Sequence, residues 1–199
     1  MKAIDLDVTQ AVRRYVAGCL AAPDWSLEKV REGLRAAAWY SPKDRRVLRT
    51  LIDARPHEFT RWLYERERDG RYTGLLMVWP PGYSTPIHDH AGLWGIEMVL
   101  QGALAIEDYE LVGSDDPQPH FTGRTILDEG DSCSFLGSDG HAHRCANLSE
   151  RRPAVTLHLY GGLLDTYRNF EPAGAERFVV QPGVASINGQ FGNVSVRGA

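Results

Sequence analysis

The stretch Pro86-Ile87-His88-Asp89-His90 carries two imidazoles two positions apart. On an extended strand such residues project to one side, so His88 and His90 can face one metal ion while Asp89 points away. A second histidine-bearing stretch lies downstream, Gly140-His141-Ala142-His143, ahead of Arg144-Cys145-Ala146-Asn147. A third imidazole from a facing strand would complete a three-nitrogen face with open positions opposite, as a catalytic rather than a structural metal site requires. His141 and His143 share parity, so periodicity leaves both open as that ligand. Thr156-Leu157-His158-Leu159-Tyr160 sets three polar side chains on one strand face. Pattern alone fits equally a solvent-facing strand whose leucines turn to the core. Arg61 stands in an arginine-rich region. A guanidinium suits a carboxylate because it can form two parallel charge-assisted hydrogen bonds.

Motif spacing then brings in a family. Gly82, five residues, His88, one residue, His90 and later Gly102 resemble the first cupin motif. Gly140, two residues, His143, three residues and Asn147 resemble the second, which selects His143 as third ligand. The first motif commonly carries a glutamate ligand soon after its histidine pair. Here that place falls near Trp94, and Glu97 lies too far along. Loss of this carboxylate marks the thiol dioxygenase branch. The chain is similar to the cysteine dioxygenase family over about residues 58 to 171. Thr60-Arg61, Ile87-His88-Asp89-His90, Leu100-Gln101-Gly102, Pro153-Ala154-Val155 and Leu157-His158-Leu159-Tyr160 follow the family's stretches in order and interval.

The resemblance implies Fe(II) held by His88, His90 and His143, with a small thiol and O2 as reactants and a sulfinate as product. It implies catalytic roles for Tyr160, His158 and Thr156, with Thr156 in place of the serine of the family's Ser-His-Tyr series. Arg61 resembles the arginine that grips the carboxylate of L-cysteine, given a one-residue insertion in the polar stretch Glu65 to Arg71. Trp94 and Arg168 resemble substrate-binding residues of relatives that oxidise 3-mercaptopropionate and other mercaptocarboxylates. Gly95 stands where mammalian members have a cysteine cross-linked to the tyrosine, as bacterial relatives commonly do, so no thioether to Tyr160 is expected by that route. Two other readings are a cupin isomerase or hydrolase using Mn, Ni or Zn, and a non-enzymatic ligand-binding cupin.

The elements that must position these residues are legible in part. Apolar residues recur at helical intervals from Asp7 to about Ala22, with Asp7 and Gln10 placed as a capping box. A second helix starts near Ser26 with Leu27, Val30, Leu34 and Ala37 as its stripe. A third starts at Ser41-Pro42, with Asp44 three residues on, and ends at Arg55-Pro56. Beyond Pro56, short apolar or alternating runs at 75–79, 95–100, 103–111, 125–127, 132–136 and 154–160 alternate with turn signals at 113–117, 129–131 and 137–140. Such spacing predicts an antiparallel sandwich or barrel. The segment Gly183 to Gly192 reads as a loop, and Asn193 to Arg197 as a final edge strand. The expected fold is mainly β, a jelly-roll-like cupin barrel at 56–199 behind a helical cap at 1–55, in one domain spanning 1–199.

Composition narrows the classes. The 199 residues are 43% hydrophobic and 24% charged, which fits an ordinary globular chain. Lys and Arg number 22 against 26 Asp and Glu, a balance without the basic footprint of a nucleic-acid binder. No apolar run reaches the roughly 18 residues of a membrane span, so neither nucleic acid nor membrane is expected as a partner. Cys19, Cys133 and Cys145 form neither a CxxC pair nor an even set, which argues against a disulfide framework. With no uninterrupted apolar run at the N-terminus, a reducing, cytoplasmic setting is expected.

Overall fold

The computed structural model describes residues 6–191 except 39, 68, 139, 175 and 176. Three helices lead, α1 (Asp7–Ala21), α2 (Leu27–Ala37) and α3 (Pro42–Ala54). Twelve strands follow: β1 (Thr60–Arg66), β2 (Thr73–Trp79), β3 (Ile87–His88), β4 (Gly95–Gln101), β5 (Leu104–Val112), β6 (Gln118–Leu127), β7 (Ser132–Phe135), β8 (His141–Asn147), β9 (Ala154–Tyr160), β10 (Thr166–Pro172), β11 (Phe178–Val184) and β12 (Gly189–Gln190). They form two six-stranded sheets, ordered β12-β1-β2-β9-β4-β7 and β11-β10-β3-β8-β5-β6. This is the cupin architecture the motifs imply, with helices at its N-terminal side.

Ser26 caps α2 by accepting from the Lys29 N–H, and Ser41 with Asp44 forms the capping box of α3. The start of α1 differs from expectation. Asp7 is the first helical residue, Leu6 holds the cap position, and no side chain of that residue caps the helix. The backbone N–H groups of Asp7 and Val8 instead donate to the buried Asp44 carboxylate, at 2.8 and 3.2 Å. One carboxylate thus serves the open ends of two helices, and tertiary contact replaces a local cap.

The first sheet is covered on both faces. Tyr64, Leu76, Val78, Ile96, Met98, Leu157 and Leu159 pack outward with Val12, Val16, Leu34 and Leu48 of the helices. The alternate residues Leu63, Leu75, Met77, Val99 and Tyr160 pack inward with Leu104, Ile106 and Cys145 of the second sheet. Every residue of β9 is therefore buried. The leucines of β9 do turn to a core, the one under the helices, while Thr156, His158 and Tyr160 face the barrel interior rather than solvent.

A register shift between Leu63 and Glu65 gives β1 one residue more than β2 at Tyr64. Gly74 makes this possible, because a Cβ there would lie 2.5 Å from the Tyr64 ring. The segment expected as a loop at 183–192 holds the end of β11 and the short β12, which pairs in parallel with β1. The expected strand at 193–197 lies outside the described residues. Cys19, Cys133 and Cys145 are free thiols. Among the described residues no helix is long and apolar enough to cross a membrane.

Candidate active site

β3 is two residues long and lies between β8 and β10. Its single pairing with β8 sets His88 directly opposite His143. His90 follows on the same side, ahead of a turn in which Ala91 and Gly92 take φ values of 51° and 75°. The three rings converge, with centroid separations of 4.7 Å for His88–His143, 4.5 Å for His90–His143 and 5.2 Å for His88–His90. One ring nitrogen from each lies within 4.8 Å of the others. His141 is not in this group. It sits beyond the end of the β3 pairing, its Nε2 is 3.1 Å from Oδ1 of Asp108, and its ring stacks on Phe135.

The donor set fits a cation. Burial keeps all three imidazoles below the normal histidine range, and most strongly His90 and His143, so their lone pairs stay available. Nδ1 of His88 lies 3.0 Å from the Pro86 carbonyl, which can only accept. The proton therefore sits on Nδ1 and Nε2 is left for a metal. Nε2 of His90 is buried without a hydrogen-bond partner, an arrangement a bound metal would resolve. Asp89 points away as its parity requires. Its Oδ2 accepts from Nε of Arg168 at 2.5 Å and its Oδ1 from the Arg168 backbone N–H at 2.8 Å.

The histidines form one wall of a pocket whose other lining includes Arg61, Met77, Trp79, Glu97, Tyr160 and Tyr167. Arg61 projects inward from β1. Its guanidinium lies 4.6 Å over the Phe59 ring, and Nη2 is 3.5 Å from the Tyr167 hydroxyl. Arg168 and Trp94 are not among the lining residues. Arg168 is engaged by Asp89, and Trp94 packs toward the helices against Trp25, with ring centroids 6.2 Å apart. The Trp94 ring occupies the space a Cβ at Gly161 would need, 2.0 Å from Nε1.

The polar face of β9 forms a continuous chain. Trp79 Nε1–H donates to Thr156 Oγ1 at 2.7 Å, Thr156 Oγ1 is 2.7 Å from His158 Nε2, and His158 Nδ1 is 3.1 Å from the Tyr160 hydroxyl. Burial raises the Tyr160 phenol well above the normal range, so it remains a hydrogen donor. Its ring stacks on His90 at 5.3 Å. Gly95 pairs directly opposite Tyr160, and a Cβ there would meet the Phe135 ring at 2.1 Å. Phe135 fills that space and stacks on His90 at 4.4 Å.

Sequence reasoning passed over Tyr167 and set Glu97 aside as too far along to be a ligand. Glu97 is not in the donor group of the three histidines, yet it lines the same cavity. A lone carboxylate inside the apolar run from Gly95 to Leu100 was the available signal. Tyr167 had none, because β10 shows no clear alternation.

The family model for cysteine dioxygenase type I matches residues 40–173, and the chain belongs to that family. Cysteine dioxygenase type 1 of Danio rerio is 29% identical over 120 residues, covering 58% of this chain and 57% of the relative. The Homo sapiens protein of the same name is 27% identical over 115 residues, covering 58% and 56%. The chain thus spans little more than half the length of the curated relatives it matches. Among solved structures, a cupin superfamily protein from Desulfitobacterium hafniense aligns with a TM-score of 0.41 at 17% identity, over 59% of this chain and 88% of that one.

Proposed function

We propose that the protein is an iron(II)-dependent thiol dioxygenase. It adds both atoms of O2 to the sulfur of a small carboxylate-bearing thiol, with L-cysteine giving cysteine sulfinate as the preferred reaction. One observation carries the reading: two buried imidazoles and a half-buried third share a pocket with an inward arginine and a protonated phenol. Iron bound by His88, His90 and His143 would supply thiolate binding and O2 activation. Neutral ligands leave the metal's positive charge uncompensated, which favours an anionic sulfur.

The chain's own groups supply the rest. Arg61 grips the substrate carboxylate, and Tyr167 beside it supports the guanidinium. Tyr160, held through His158 and Thr156, donates a hydrogen bond into the cavity. Arg168 pins Asp89 and so fixes the backbone between the two histidines. Its engagement there favours Arg61 as the clamp.

The test is metal analysis together with oxygen uptake by the Fe(II)-loaded protein against L-cysteine, 3-mercaptopropionate, cysteamine and mercaptosuccinate. Uptake with L-cysteine and very little with cysteamine, which lacks a carboxylate, is expected. Arg61→Gln should raise the KM for L-cysteine about 30-fold or more, as a lost partner worth about 2 kcal/mol implies. No thiol-dependent uptake by iron-loaded protein would overturn the reaction. A preference for 3-mercaptopropionate would retain the reaction and overturn the substrate.

A further inference from the structure

Glu97 is 1% exposed in the interior of the barrel, on β4 between β9 and β7. A carboxylate so enclosed needs donors around it. It has them. Oε1 lies 3.3 Å from Nδ1 of His158 and 3.6 Å from Nε2 of His143, and Oε2 accepts from the Cys145 thiol at 3.7 Å. The carboxylate's place is beside His143 and Cys145, outside the group formed by His88, His90 and His143. Glu97 thus shares a second candidate donor group with His143 and Cys145 and borders the three-histidine group without joining it.

The hydrogens along β9 then have few places to go. Trp79 Nε1–H can only donate, and Thr156 Oγ1 receives it. The Thr156 hydroxyl has its own hydrogen to place, and His158 Nε2 at 2.7 Å is the acceptor it meets. A neutral imidazole that accepts at Nε2 carries its proton at Nδ1. Nδ1 faces two oxygens, Glu97 Oε1 and the Tyr160 hydroxyl. A carboxylate only accepts, so it draws the Nδ1–H. A ring protonated on both nitrogens would behave identically at Nδ1. In neither form can His158 accept the hydrogen of Tyr160.

We infer that Glu97 is a positioning residue that holds a proton on Nδ1 of His158, which leaves the Tyr160 hydroxyl hydrogen free to point into the metal-lined cavity. Without Glu97 the chain can run in reverse. Tyr160 would donate to Nδ1, Nε2–H would donate to Thr156, and the phenolic hydrogen would be turned into the barrel wall. The consequence for turnover rests on the dioxygenase reading, whereas the place of the proton does not.

The first readout is the pair of ring-nitrogen resonances of His158 in ¹⁵N-histidine-labelled, zinc-loaded protein, assigned with His158→Gln. Wild type is expected to show a protonated Nδ1. Glu97→Leu is expected to shift the proton toward Nε2, and Glu97→Gln, whose amide oxygen can still accept, to keep it on Nδ1. An unprotonated Nδ1 in wild type, or an unchanged Nδ1–H in Glu97→Leu, overturns the inference. The second readout is kcat of iron-loaded enzyme. Loss of such an outer partner typically costs about 10- to 100-fold, so Glu97→Leu should lower kcat to that extent at equal metal content. In a Tyr160→Phe background it should cost nothing further. Equal losses in both backgrounds would show that Glu97 does not act through Tyr160. Absence of any thiol-dependent oxygen uptake would remove the dioxygenase reading alone, and the spectra would still decide where the proton sits.

Discussion

The two faces of β9 are made by alternate residues of one strand, are buried equally, and do different work. Outward, Val155, Leu157 and Leu159 pack under the helices in an apolar cluster. Inward, Thr156, His158 and Tyr160 form a hydrogen-bonded chain beside the three converging histidines. The outer face needs only shape and apolar area, at about 1.5 to 3 kcal/mol for each large side chain buried. The inner face needs every donor matched to an acceptor, because an unpaired buried group costs about 1 to 3 kcal/mol. Covering the outside of the sheet with helices is what lets its inside carry polar chemistry. Damage to the outer face should lower stability and leave turnover per folded molecule intact, and damage to the inner face should do the reverse.

The largest effect is expected at the metal ligands. His88→Ala, His90→Ala and His143→Ala should each lose iron and all measurable turnover, while His141→Ala, whose ring is bonded to Asp108, should retain iron. Metal content of purified, folded variants decides this. An empty site in His141→Ala with iron retained in His143→Ala would reverse the ligand assignment. Next comes Tyr160→Phe, which should keep iron and fold while turnover falls by two to three orders of magnitude, about 3 to 4 kcal/mol for a lost active-site donor. Intact-mass and peptide analysis should find no link from Tyr160 to a cysteine, since Gly95 offers no sulfur opposite it.

The outer face gives the contrasting result. Leu157 is 0% exposed. Leu157→Ala should destabilise the fold by about 2 to 5 kcal/mol, the range for a buried leucine truncated with partial relaxation. Chemical denaturation measures that loss, and kcat below the transition should stay near wild type. A large fall in kcat at full folding would mean that the two faces are coupled through the strand.

How much of this the residues announced depends on range. The helix starts at Ser26 and Ser41 were legible because their caps are local, and the start of α1 was not because Asp44 comes from 37 residues away. The convergence of His88, His90 and His143 was legible because two of them lie two residues apart and the family spacing selected the third. Whether His158 faced solvent or the site could not be read from β9, since that depends on helices lying some hundred residues earlier. Glu97 was visible as a charge in an apolar run, but its partners His143, Cys145 and His158 come from β8 and β9. The β10–β11 hairpin escaped notice because it is largely exposed and lacks alternation.

The finest comparison lies within one side chain of β9. Thr156 is 0% exposed and carries both a methyl and a hydroxyl, the first serving packing and the second the hydrogen-bond chain. Thr156→Val keeps the shape and removes the hydroxyl. Trp79 Nε1–H and His158 Nε2 then lose their shared partner, at a cost of about 1 to 3 kcal/mol for an unpaired buried group, and turnover should fall because His158 is no longer held. Thr156→Ser keeps the hydroxyl and removes the methyl. By analogy with other single-methyl truncations it should cost about 0.5 to 1.5 kcal/mol of stability, with the Trp79-to-Tyr160 chain intact and kcat within a few-fold of wild type. Denaturation curves and kcat measured on both variants separate the two contributions. Equal kcat for Thr156→Val and Thr156→Ser would mean that the hydroxyl contributes only to the fold, and the inner face of β9 would then begin at His158.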